Sequence, residues 1–81
     1  MSLEYYKKQM VDLRARLQKE KDAKKKDNEY YARMVKFSST PSGKASYRKF
    51  KIDRAASHDR QIESIKRQIE TCKDNIARER K

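Results

Sequence analysis

The chain has almost nothing in it that interrupts a helix. Glycine and proline occur once each among its 81 residues. An all-β or loop-rich fold needs many turn residues, so both are excluded. A single cysteine, Cys72, rules out an internal disulfide, and with one histidine there is no Cys/His cluster of zinc spacing. Tryptophan is absent and apolar residues make up only 35% of the chain, with a mean hydropathy of -1.33. That is too little for a thick globular core. No apolar run approaches the roughly 18 to 20 residues of a membrane span, and none near Met1 forms a signal-peptide core. These features fit a reducing, cytoplasmic setting, and fit equally an export route without a cleaved signal.

Charge is what the chain has in abundance. Charged residues make up 43% of it, and 23 Lys and Arg against 12 Asp and Glu give a formal net charge of +11. A field of that sign attracts nucleic acid, anionic lipid or an acidic protein without choosing among them. Such a composition leaves long helices or disorder. The apolar residues decide between these, because they fall in register instead of being scattered.

From Leu3 to about Phe37 no residue breaks a helix; Ser2 can cap it, and Glu4 suits the positive end of the helix dipole. Ser38-Ser39-Thr40-Pro41-Ser42-Gly43 gathers the turn chemistry, and Gly43 there permits a positive φ. A second helix then runs from about Lys44 to Glu79, with Thr40 or Ser42 as its cap and Pro41 acceptable at its first position. Each helix has about 35 residues and a length of roughly 50 Å. The sequence thus predicts an all-α fold in which residues 1 to 81 form one antiparallel two-helix coiled-coil hairpin.

The seam carries this prediction. Tyr6, Met10, Leu13, Leu17, Glu20, Lys24, Asp27, Tyr31 and Met34 alternate steps of four and three, the spacing of a coiled-coil stripe. Ile52, Ala55, His58, Ile62, Ile65, Ile69, Cys72 and Ile76 do the same. Folding back at the bend pairs residues whose numbers add to about 85 or 86, so Leu17 meets Ile69, Leu13 meets Cys72, Met10 meets Ile76 and Met34 meets Ile52. Between Gln18 and Glu29 only Ala23 is apolar. There the Lys24 stem can cover Ile62, and Asp27 falls opposite His58 as a polar pair that fixes register.

About a dozen medium-sized apolar side chains are a small set to offset the ordering of two long helices. Packing a second hairpin on the Ile stripe would form a four-helix bundle, so the sequence predicts a homo-oligomer or a complex with another helical protein. Leu13, Leu17, Ile62, Ile65, Ile69 and Ile76 are the candidate partner interface. Leu3, Tyr5, Val11, Tyr30, Val35 and Tyr47 flank the seam and can serve a second one. The segment Glu-Tyr-Tyr occurs at Glu4 and again at Glu29, an offset close to seven helical turns that puts both copies on a similar face.

The bend offers a different kind of binding. From Lys36 to Arg54 there are six cations, Lys36, Lys44, Arg48, Lys49, Lys51 and Arg54, against Asp53 alone, with Phe37, Tyr47 and Phe50 interleaved. Cations attract phosphates and aromatic faces stack on unpaired bases, so Lys44, Tyr47, Arg48, Lys49, Lys51 and Arg54 are candidate nucleic-acid contacts. The same residues also read as an ordinary hairpin end, with Phe37 facing Phe50 and the charges solvated. Lys19 to Asp27 is basic too, but its acids are spaced for pairing along the helix surface.

No catalytic arrangement is present in the sequence. Ser42-Gly43-Lys44-Ala45 matches the end of a phosphate-binding loop only in part, because Ala45 stands where Ser or Thr would bind the metal. His58 and Cys72 lie some four turns apart on one helix, too far for a nucleophile and its base. The sequence therefore predicts a non-enzymatic protein without cofactor, metal or small-molecule substrate.

Ser2 to Tyr6 at the start, with Gly43, Ala45 and Phe50 at and after the bend, resemble the small WXG-type and YwqH-like helical-hairpin proteins associated with type VII secretion. Pro41 stands where that family has its Trp. The resemblance spans the whole chain and implies pairing with another helical hairpin or with the helical leader of a secreted toxin.

Overall fold

A computed structural model describes residues 2–80. Helix α1 spans Ser2–Phe37 and helix α2 spans Pro41–Glu79, 36 and 39 residues long. They lie side by side as an antiparallel hairpin measuring 62 × 14 × 11 Å. Ser2 is already the first helical residue, so it does not cap α1, and the position before it lies outside the described residues. Glu4 sits in the first turn and Lys36 in the last, each at the end of the dipole that favours its charge.

The bend is shorter than the sequence suggests. Only Ser38, Ser39 and Thr40 connect the helices, since α2 begins at Pro41 and not near Lys44. Thr40 has extended backbone angles, and its Oγ1 accepts a hydrogen bond from the Gly43 N–H at 3.0 Å. Pro41 fills the first helical position, where its missing N–H costs nothing. Gly43 does not adopt a positive φ. Its lack of a side chain serves packing instead: a Cβ there would lie 2.9 Å from Thr40 Oγ1 and would also collide with Ser38 Oγ. The Ser38 N–H donates to the Met34 carbonyl at 3.0 Å and ends α1.

The core occupies the half of the hairpin away from the bend. Met10, Leu13, Ile69 and Cys72 form one buried cluster, with Tyr6, Leu17, Ile65 and Ile76 packed against it. The Cys72 thiol donates to the Tyr6 carbonyl oxygen at 3.0 Å. Ile62 is also buried, although in this stretch α1 offers Ala23 as its only apolar residue.

Toward the bend the stripe changes phase. Ile52 is 68% exposed and does not meet Met34 in a closed seam. Gly43, Lys44, Tyr47, Lys51 and Ala55 are the partly buried positions of α2 there. The register has also slipped by about one helical turn, since Tyr31 meets Phe50 and not the residue near 54 or 55. Both changes have one cause. Starting α2 at Pro41 shortens the connection and draws each α1 residue opposite an α2 position closer to the bend.

Candidate functional site

Three regions of the hairpin can carry function: the apolar seam, a polar cluster at mid-length and the bend. In the seam, Leu13, Ile62 and Ile69 are buried between the two helices, while Leu17, Ile65 and Ile76 are half-buried. Most of the Ile stripe is therefore covered by the chain's own α1. Other apolar side chains face outward. Tyr5, Val11, Tyr30, Phe37, Phe50 and Ile52 are all exposed, whereas Leu3, Val35 and Tyr47 are half-buried. Tyr5, Tyr30 and Phe37 fall on one side of α1, because their spacings are close to whole numbers of turns.

The polar cluster is closed on itself. His58 Nε2 lies 2.5 Å from Asp27 Oδ2, and Nδ1 lies 2.5 Å from Glu20 Oε1. Both ring nitrogens can donate only as imidazolium. The hydrogen bond to Asp27 raises the His58 pKa above its ordinary 6.5; the bond to Glu20 adds to this and burial opposes it. The same bond from His58 holds the Asp27 carboxyl below 3.8, against burial and with help from the Arg54 charge. Arg54 Nη2 pairs with Asp27 Oδ2 at 3.2 Å, and Lys24 Nζ reaches Asp59 Oδ1 across the hairpin at 2.6 Å.

The sequence places Asp27 opposite His58, and the structure makes that pair. It misses Glu20 as the second partner, though the signal is present. Glu20 and Asp27 are two turns apart on the same stripe, so one imidazole sitting between them reaches both. Among the described residues no buried side-chain nitrogen or oxygen lacks a partner. None of their His, Cys, Asp and Glu side chains forms a group of three or more able to hold a metal ion.

At the bend, aromatic rings touch in sequence across both helices. Tyr30 and Tyr31 have centroids 5.1 Å apart, Tyr31 and Phe50 6.3 Å, and Phe50 and Tyr47 6.2 Å. Phe37 does not face Phe50 to close the core. It is 74% exposed and lies under the Lys36 ammonium, 5.9 Å from the ring centroid. Arg48 and Lys49 are exposed, and Lys44 and Lys51 are half-buried. Arg54 belongs to the Asp27 cluster through its ion pair, which separates it from the other cations of the bend.

Among the described residues no helix is long and apolar enough to cross a membrane. A comparison of the chain with protein-family models, with curated proteins and with solved structures finds no match.

Proposed function

We propose that this chain is a non-enzymatic coiled-coil module that works by pairing with a second copy of itself or with another helical protein. One observation carries the reading: large apolar side chains remain uncovered along a hairpin that buries few of its own. Among the described residues Met10, Leu13, Ile62, Ile69 and Cys72 are the buried hydrophobics, while six large apolar side chains stay exposed. A two-helix hairpin leaves the outer side of every helix without a partner, and apolar groups placed there gain from a third and fourth helix. Tyr5, Tyr30 and Phe37 on one side of α1 supply the contact area. The resemblance to WXG-type helical hairpins favours the same kind of partner. Charge sets a condition on it. With a net charge of +11, two copies repel one another, so self-pairing strengthens with salt while pairing with an acidic helical protein weakens with it.

Light scattering coupled to size exclusion, at low and at high salt, tests the proposal. A discrete dimer or tetramer that persists or grows at high salt supports self-assembly. A protein that is monomeric at every concentration and salt, and unfolded in dilute solution, supports an obligatory partner. A well-folded, stable monomer insensitive to Tyr30→Ala and Phe37→Ala overturns it.

A further inference from the structure

We propose that the bend end of the hairpin is a binding surface for single-stranded nucleic acid. This goes beyond helix pairing and rests on the charge and the ring contacts of the bend, with Tyr30 and Phe50 serving both readings. From Tyr30 to Ile52 the chain carries six Lys and Arg residues and no Asp or Glu. The acids that dilute the positive charge elsewhere stop short of this end on both helices. The first turn of α2 likewise holds no acid.

Charge alone would suit any polyanion, and the aromatic arrangement narrows the choice. Tyr30, Tyr31, Phe50 and Tyr47 form a continuous run of ring contacts that bridges the two helices. Two of its members, Tyr31 and Tyr47, are half-buried, and each contacts an exposed ring of the run. Tyr30 and Phe50 remain 45% and 49% exposed. A fixed, partly exposed ring is a platform for an unpaired base, because stacking needs a flat apolar face and little ordering of the side chain. The exposed Arg48 and Lys49 flank Phe50 in sequence, and among the described residues neither forms an ion pair. Their charges are thus free for phosphates. A duplex hides its base faces and can use only the cations. An acidic peptide likewise gains nothing from the stacking surface.

Binding of a labelled single-stranded oligonucleotide of about a dozen nucleotides is followed by fluorescence anisotropy over a range of salt. The same measurement is made with a duplex of equal length and with polyglutamate as competitor. The expected result is salt-dependent binding that favours the single strand. Phe50→Leu then weakens it by about five- to a hundredfold without altering the salt slope. Arg48→Ala with Lys49→Ala lowers that slope by about 0.7 for each phosphate that is no longer neutralised. Circular dichroism of both variants verifies that the hairpin is intact. Arg48 and Lys49 are exposed, and Leu keeps an apolar side chain where Phe50 packs on Tyr31 and Tyr47. Absence of binding at low salt overturns the proposal. So does equal binding of duplex and single strand with no effect of Phe50→Leu, and so does displacement by polyglutamate as efficient as by unlabelled oligonucleotide, which assigns the surface to an acidic protein. Light scattering of the parent and of Phe50→Leu at the same concentration separates a loss of nucleic-acid binding from a loss of assembly.

Discussion

His58 on α2 is clasped by Asp27 on α1, with Nε2 and Oδ2 2.5 Å apart, and the second ring nitrogen is held by Glu20 at the same distance. One imidazolium between two carboxylates ties the helices together at the height where the apolar seam is thinnest. The contact also makes the hairpin sensitive to pH. Because the His58 pKa is raised in the folded state, its contribution is complete below the ordinary value of 6.5 and is lost as pH rises through the folded value. Asp27 has a lowered pKa, so its contribution is complete above 3.8 and is lost as pH falls through the folded value. Thermal melts should therefore show a plateau between these two pH values and a decline as pH rises above 6.5. His58→Gln should flatten that decline. An equally steep fall in the variant would assign it to another group.

A polar cluster in a helical seam is expected to fix alignment at some cost in stability. Replacing Glu20, Asp27 and His58 together with Leu should raise the melting midpoint, because the stripe then becomes apolar through its centre. It should also weaken the preference for one register. Size exclusion with light scattering should find more than one assembly in the triple variant, where the parent shows one. A triple variant that melts lower than the parent would mean that the clasp is a net stabilising contact.

Both helices and the position of the bend can be read directly from the sequence, since Tyr6 to Met34 and Ala55 to Ile76 keep the stripe spacing and Pro41 with Gly43 stand alone as breakers. The start of α2 was not so legible. Thr40 and Ser42 are equally good caps as residue types, and only the closed geometry selects Thr40. From that choice follows the register, and with it the exposure of Ile52. Positions 50 and 52 lie about 200° apart around a helix, so seating Phe50 against Tyr31 sends Ile52 to solvent. The spacing of Ile52 from Ala55 fitted the stripe; the connection of three residues did not allow it. Of the polar cluster, the sequence revealed the His58–Asp27 pair, because that pair survives the slip, and not Glu20, whose approach depends on the new alignment.

The cap at the bend should be measurable on its own. Thr40→Ala removes the oxygen that accepts from Gly43 N–H and should cost about 1 kcal/mol in chemical denaturation. Gly43→Ala should also destabilise the parent, because its Cβ would crowd Thr40 Oγ1. In the Thr40→Ala background there is no cap left to lose, and Ser38 can rotate away. Gly43→Ala should then become neutral or stabilising by up to about 1 kcal/mol, the usual advantage of Ala over Gly in a helix. Additive effects in the two backgrounds would show that Gly43 and Thr40 do not interact.

Two isoleucines of α2 separate the seam observed from the one the spacing suggests. Ile69 is buried with Leu13 and Cys72, whereas Ile52 is exposed. At protein concentrations where light scattering shows monomer, Ile69→Ala should cost about 2 to 5 kcal/mol, through reduced burial and the cavity left behind. Ile52→Ala should stay within about 0.5 kcal/mol of the parent, as surface substitutions do. If assembly uses the outer face near the bend, the Ile52 variant should match the parent as a monomer and differ from it only where the parent associates. A large loss for Ile52→Ala in the monomer would restore the register in which it meets Met34, and the hairpin would then have to lengthen its connection beyond Ser38 to Thr40 to reach it.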